Sequence, residues 1–415
     1  MTLEQAHIEQ IRTAFEKMQS REDLLHVLNE AKPMVYGDKA IPFQLKQLTW
    51  YANPKLGRKR YTEFKVKKKS GAERSIHSPV AGLKSIQKTM SYVLQCVYEP
   101  HNAAMGFVRD KSIVDNAKLH VGNMYVYNID LKDFFPSVDQ ARVWKCFQLK
   151  PFNLFGEIKN ISIGPKWVTE KRGGRKDIAN ILASLCCTEM EVERKNETGE
   201  WEKVKRNVLP QGAPTSPVIT NIVCQKLDYL LSGVAKRFGL KYSRYADDIT
   251  FSSMHNVYQP ESEFLKELHR IIAEQNFHIK ESKTRLQKDG FRKEVTGLLV
   301  NEKANVQQRY IKQLRMWLYY WERYGYERAY TYFLVQYVSD KVNIKKGKPD
   351  MASVIFGKLD YLKMVKGADN ELYLKLKSRF NLLIGFEDPI KLVLNVWETD
   401  GIEQAMEFYY KNKFK

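Results

Sequence analysis

The sequence predicts an α+β fold, an antiparallel sheet with helices behind it, on three observations. Short runs such as Tyr125 to Leu131 and Tyr242 to Phe251 carry β-branched and aromatic residues and read as strands. They alternate with longer segments whose apolar residues recur at helical spacing, 137–147, 178–190, 217–238 and 262–276. Finally, Tyr245-Ala246-Asp247-Asp248 lies between Tyr242 and Ile249-Thr250-Phe251, a tight turn that makes its two strands antiparallel neighbours.

Taken in order, residues 1 to 50 predict two helices (Ile8, Ile11, Phe15, Met18; then Leu24, Leu25, Leu28) broken near Pro33. A basic stretch, Lys55 to Lys69, crosses a hairpin: Tyr61 to Val66 alternates, Ser70-Gly71 turns the chain, and Glu73 to Ile76 returns. A helix follows Pro79, with Leu83, Ile86, Met90, Val93, Leu94 and Val97 on one face. The polar stretch Glu191 to Arg206 contains Asn196-Glu-Thr-Gly199 and reads as an exposed hairpin or insertion. Phe291 to Val300 reads as a hairpin, and from 306 onward the chain is helical, with a break at Lys345 to Pro349.

At 415 residues the chain is long enough for two or three domains and an ample core. Sixty-eight Lys and Arg against 48 Asp and Glu give a net charge of +20, which points to a polyanionic partner. No run has the apolar length of a membrane span, and the polar start, with Glu4 and Glu9, is no signal peptide. Cys96, Cys146, Cys186, Cys187 and Cys224 show no CxxC spacing, so they read as reduced thiols of a cytoplasmic protein without a zinc site.

The chemistry starts at Asp247-Asp248, because two adjacent ionised carboxylates are costly to bury and a hairpin turn lets both face a cation. Asp130 ends the strand Tyr125 to Leu131, 117 residues earlier (247 − 130), where it can meet the hairpin within one sheet. Two Mg²⁺ ions held by three such carboxylates would activate a 3′-hydroxyl and stabilise leaving pyrophosphate. Asp133 reads more simply as a helix cap. Leu209-Pro-Gln-Gly-Ala-Pro-Thr-Ser-Pro217, two turns before a helix, would lay its backbone and Gln211 against a flat substrate such as a base pair. Farther along, Arg309, Lys312, Arg315 and Arg323 interleave with Tyr310, Trp317, Tyr319, Tyr320 and Trp321, a pattern suited to gripping a duplex by its backbone.

Asp130 with Phe134-Phe135, the 209–217 loop and Tyr245 to Asp248 resemble, in order, the palm motifs of reverse transcriptases. The hairpin ending Glu73-Arg-Ser-Ile-His-Ser-Pro79 resembles their fingers motif, and His278 to Arg285 a later palm segment. Asn116-Ala-Lys-Leu-His120 and Val295-Thr-Gly297 are similar to blocks of bacterial retron enzymes. The resemblance implies a right-hand polymerase fold: an N-terminal helical extension (1–50), fingers (51–125), palm (126–305, with a fingers insertion at 150–206) and a helical thumb (306–415).

The resemblance also implies roles. Asp130, Asp247, Asp248 and the Leu131 carbonyl would hold two Mg²⁺, or Mn²⁺ in their place. Phe135 would exclude a 2′-hydroxyl, Gln211 would line the nucleotide pocket, Lys67 and Arg74 would hold the triphosphate, and Lys283 would protonate pyrophosphate. Asn116, Val295, Thr296, Gly297, Arg309, Lys312 and Arg315 would contact RNA, and His120 would either contact RNA or cap a helix. The implied partners are a cognate non-coding RNA, the RNA–DNA hybrid product, deoxynucleoside triphosphates and an accessory effector protein, with no membrane. The implied activity is synthesis of a short DNA joined to that RNA, in anti-phage defence. The rivals are another defence reverse transcriptase, a group II intron enzyme, which would often carry a Cys/His module, and a non-catalytic RNA scaffold, against which the intact carboxylates argue.

Overall fold

The structure is a computed structural model that describes residues 4–53, 56, 60–67, 71, 73–155, 174–196, 198–340, 349–385, 393–394, 396–398 and 401–411. The chain divides into two compact units, residues 1–66 with 72–296, and residues 67–71 with 297–415. Most of the segments expected as fingers and palm fall in the first unit with the N-terminal helices, while residues 67–71 and 297–305 fall in the second.

In the first unit α1 (Gln5–Lys17) and α2 (Arg21–Tyr36) are followed by α3 (Leu45–Ala52). Ser20 and Asp23 form a reciprocal capping box that starts α2. The helix break expected near Pro33 is not there. Proline removes one N–H in the last turn, but α2 runs on to Tyr36 and stops at Gly37, whose φ of +83° suits glycine. The strands β1 (Tyr61–Lys67) and β2 (Glu73–Pro79) pair as expected, and α4 (Ala81–Val97) packs its apolar face on α1 and α2. In the basic stretch and its turn, residues 55, 57–59, 68–70 and 72 lie outside the described residues.

The central sheet has the order β6-β7-β3-β8, from β3 (Tyr125–Asp130), β6 (Lys241–Tyr245), β7 (Asp248–Ser253) and β8 (Arg285–Lys288). Strand β3 runs antiparallel to both β7 and β8. Ile129, Ile249 and Phe251 share a core with Leu227 and Leu231 of α8 (Ser216–Arg237) and Phe264 and Leu268 of α9 (Glu263–Glu274). Phe251 meets Phe264 edge to face at 5.1 Å, which locks sheet to helix. Between β2 and β6 in the chain also lie α5 (Ile113–Leu119), α6 (Gln140–Gln148) and α7 (Arg175–Cys186).

Two boundaries differ from the sequence reading. The helix α6 begins at Gln140, because Asp133 takes a φ of +45° and the Ser137 N–H turns back to its carbonyl at 2.8 Å. Asp133 thus shapes a turn, and Asp139 precedes the helix. The helix α7 ends at Cys186, four residues early, because β4 (Thr188–Lys195) is captured by β5 (Trp201–Val208). Glu191 faces Lys205 and Glu193 faces Lys203 across that hairpin, a charge pairing local periodicity does not report. Residues 156–173 of the expected insertion lie outside the described residues.

The second unit is helical. Its first helix, α10 (Gln308–Asp340 across a break), follows β9 (Glu294–Val295) and β10 (Leu298–Leu299) in the chain. The break falls at Gly325, with φ +76°. The two arms of α10 pack through Trp317 on Phe333 at 4.8 Å and a hydrogen bond donated by Trp317 Nε1 to Gln336 at 2.9 Å. The helices α11 (Met351–Lys366) and α12 (Glu371–Leu383) pack on it, and α13 (Ile402–Lys411) follows. Residues 345–348 of the expected break lie outside the described residues. Among the described residues no helix is long and apolar enough to cross a membrane. All five cysteines are free thiols.

Candidate active site

The β3–β7 register sets Asp130 directly opposite Asp248. One step on, the Leu131 N–H donates to the Asp247 carbonyl at 3.0 Å and ties the hairpin to the end of β3. The hairpin loop is Ala246-Asp247, and Ala246 takes a φ of +58° at the first loop position, where a type II′ turn requires positive φ. A non-glycine residue in that region stores strain, which packing must hold. The result is three carboxylates gathered at one end of the sheet.

Their electrostatics show the crowding. Burial, then the charge of Asp130, raises the Asp247 carboxyl above the usual range, against the pull of Lys283 and Arg74. Asp248 is pushed up to about 6 by burial, then by Asp247 and Asp130. Its surface is nevertheless open to solvent, and water screens part of that repulsion. Lys283 Nζ sits on Asp130 Oδ2 at 2.5 Å, so a cation is already drawn to the cluster. Among the described residues no three ligand-type side chains are already closed around one metal position. The donor set is hard oxygen with surplus negative charge, which fits a divalent ion of the magnesium type.

What holds the hairpin was not foreseen in the sequence. Gly106 packs beneath it, and a Cβ there would stand 2.5 Å from the Ala246 nitrogen, too close for any other residue without displacing the turn. Arg244, wholly buried, donates to Asp228 Oδ2 at 2.7 Å and Oδ1 at 2.8 Å, to Asn221 at 3.1 Å and to the Ala246 carbonyl at 3.2 Å. Tyr242 also donates to Asp228, at 2.7 Å. The available signal was an Asp inside the apolar helix 217–238, facing an Arg inside a strand, since a buried charge needs a partner.

The residues expected around the nucleotide fall as follows. Phe134 is buried and stacks on Phe277, while Phe135 is only half-buried, at the edge of the core with Phe107 6.2 Å away, which separates the two rings. Phe135→Ala is expected to raise ribonucleotide incorporation relative to deoxynucleotide by about tenfold or more, roughly the worth of one steric contact. Competition between the two triphosphates on one primer measures it, and an unchanged ratio would remove that role. The Gln211 carbonyl accepts from the His77 N–H at 2.8 Å, so the loop is pinned to β2, and Gly212, with φ +118°, leaves no room for a Cβ beside Ile76. Arg74 is exposed on β2, and its charge reaches Asp247. Lys283 reaches Asp130. Lys67, exposed at the end of β1, falls in the second unit.

The expected RNA contacts need correction. Asn116 and His120 are buried, and their side chains turn inward. The two ring nitrogens of His120 lie 2.7 Å from Ser252 Oγ and Ser243 Oγ, and Ser243 donates to Asn116 at 2.6 Å. Asn116 also reaches Thr296 Oγ1 at 3.4 Å. The two retron-like blocks therefore meet beside the β6–β7 hairpin, as packing and hydrogen bonding. Val295 is buried as well. Thr296 and Gly297 both have positive φ, the type I′ combination, which makes the triplet a turn. Arg309, Lys312 and Arg315 lie outside the set of buried residues on α10, which is Leu314, Trp317, Leu318, Trp321, Ala329 and Phe333. Arg309 pairs with Asp340.

Burial, then the charge of Lys241, lowers His120 to about 3. The folded chain thus refuses a proton that the unfolded chain takes up below pH ~6.5. Stability from this group is full above that pH and falls as acid is added, by about 2 kcal/mol at pH 5. Urea unfolding at pH 7 and pH 5 is expected to show a flatter pH dependence in His120→Gln than in the parent. Equal slopes would remove this assignment.

A family model described as reverse transcriptase (RNA-dependent DNA polymerase) matches residues 66–312. The chain is 35% identical to the retron Mx162 reverse transcriptase of Myxococcus xanthus over 298 residues, 67% of this chain and 56% of that protein. It is 31% identical to the retron Ec86 reverse transcriptase of Escherichia coli over 264 residues, 62% of this chain and 68% of that one. The chain spans little more than half the length of the Myxococcus relatives it matches. Apo telomerase from Candida tropicalis is similar at a TM-score of 0.41 and 12% identity, over 85% of this chain and 62% of that one. With Asp130 and Asp248 on adjacent antiparallel strands and a family model matched over more than half of its length, this chain belongs to the reverse transcriptase family, among its retron-type members.

Proposed function

We propose that the protein is the RNA-directed DNA polymerase of a retron, which binds a cognate structured non-coding RNA and makes a short DNA joined to it in anti-phage defence. The observation that carries this reading is Asp130 in register with Asp248, beside Asp247, inside a chain of this family. Two Mg²⁺ ions held by Asp130, Asp247, Asp248 and the Leu131 carbonyl would supply charge stabilisation for the attacking hydroxyl and the leaving pyrophosphate. Phe135 would lie beneath the sugar and Gln211 against the nascent pair. Arg74 and Lys67 would bind the triphosphate as cationic donors. Lys283, beside Asp130, would protonate the leaving pyrophosphate. Arg309, Lys312 and Arg315 would contact RNA phosphates. An accessory effector protein would act with the enzyme in the cytoplasm.

The test is nucleic acid that co-purifies with the full chain. Sequencing it before and after ribonuclease is expected to show one RNA species carrying a covalent DNA copy of part of itself. Product DNA without any attached RNA would favour another defence reverse transcriptase.

A further inference from the structure

The hairpin β4–β5 folds back onto the turn that follows Asp130. At its base Val208 bridges to Asp139, and farther along Arg194 donates to the Pro136 carbonyl at 2.6 Å and to Asp139 at 2.8 Å. At its far end Trp201 stands opposite Lys195, and Glu193 accepts from Lys132 Nζ at 2.8 Å. The Lys132 ammonium also lies 3.8 Å from the centre of the Trp201 ring, with Lys195 at 5.6 Å. The same ring meets His278 edge to face at 4.8 Å. Trp201 is 42% exposed, so these contacts bury little apolar surface and add little to stability. Their effect is to fix where Lys132 and His278 lie.

Those two residues belong to the pairing that brings Lys283 to the carboxylates. The Lys132 N–H donates to the His278 carbonyl at 2.7 Å and the Lys280 N–H to the Asp130 carbonyl at 2.8 Å, with Leu131 and Ile279 bridged between them. The Lys280 carbonyl then accepts from the Lys283 N–H at 2.9 Å, which closes a single turn. Phe277 is buried just before this segment, and Arg285 starts β8 just after it. Between those fixed points Glu281, Ser282 and Lys283 are exposed, and Lys283 reaches Asp130 on a long, flexible stem. Such a side chain has many rotamers of its own, so its backbone must aim it. A displacement of about 1 Å at residues 278–280 would carry the ammonium out of line, enough to slow a positioned reaction severely.

We propose that Trp201 is a positioning residue for nucleotide addition: carried by the β4–β5 hairpin, it clamps Lys132 and His278 and so aims Lys283 at the leaving pyrophosphate. Trp201 itself touches no reacting atom. This role, which rests on the polymerase reading above, gives the polar stretch 191–206 a part in the reaction.

The test is single-turnover extension of a primed RNA template by the full chain, for Trp201→Ala, Lys283→Ala and the two combined. Trp201→Ala is expected to slow the step about tenfold at saturating deoxynucleotide, with nucleotide affinity within about twofold of the parent. In the Lys283→Ala background the same change is expected to cost less than about twofold, because no ammonium is left to aim. Trp201→Phe, which keeps a ring against His278, should recover most of the rate. Equal slowing in both backgrounds, a parental rate in Trp201→Ala, or a parental rate in Lys283→Ala would each overturn the positioning role and leave the polymerase reading intact. A parent protein that extends no primer would overturn that reading and the role together.

Discussion

Replacing Asp247 and Asp248 together by alanine is expected to abolish DNA synthesis, by roughly a thousandfold or more, in a protein that stays folded and keeps its RNA. The rate term follows from losing two of three charges around which divalent ions would gather, worth several kcal/mol of transition-state stabilisation. The folding term has the opposite sign. Both carboxyls are raised in the folded chain by burial and by neighbouring charge. Above the unfolded carboxylate range, near pH ~4, such groups cost stability as they ionise, increasingly so as pH rises through about 6 for Asp248. Alanine removes that repulsion, so the double variant should unfold at the same urea concentration or a higher one. Primer extension and urea unfolding on the same preparation separate the outcomes. Retained synthesis would end the metal-site reading, and lost synthesis with marked destabilisation would make the pair structural.

Asp228→Ala should be the most damaging single change to the fold. Arg244 and Asp228 are shut off from water, at 0% and 1% exposure. Removing one partner strands a buried guanidinium, a loss of about 3–5 kcal/mol. A domain has only ~5–15 kcal/mol to lose. The same guanidinium holds the Ala246 carbonyl, so the catalytic turn should loosen before the whole unit unfolds. Hydrogen exchange at residues 245–249 reports the turn, and urea unfolding reports the unit. Asp228→Asn keeps the shape and should lie between parent and alanine. A loss below ~1 kcal/mol in the alanine variant would mean that water reaches the pair.

Much of the site was legible in the chain. Asp247-Asp248 announces itself because two adjacent carboxylates between apolar strands have few comfortable places. Asp130 does so because a strand that ends in a carboxylate needs a reason. The hairpin at 188–208 was visible in its polarity, though not its start, because cross-strand Glu–Lys pairing overrode helical periodicity. That Asn116 and His120 turn inward, with His120 capping α5, was hidden for a similar reason. A polar residue on a short helix looks the same whether it faces solvent or a buried serine.

The sequence by itself determined the α+β alternation, the turn that carries the carboxylates, the basic charge and the motif order that marks the family. These depend on local period, turn chemistry and composition, all properties of neighbouring residues. Only the tertiary structure decided that Asp130 faces Asp248, that Phe134 is the buried ring and Phe135 the available one, and that Gly106 and the Arg244–Asp228 pair hold the turn. Register, burial and charge pairing arise when distant segments exclude water together, and no stretch of chain carries that information alone.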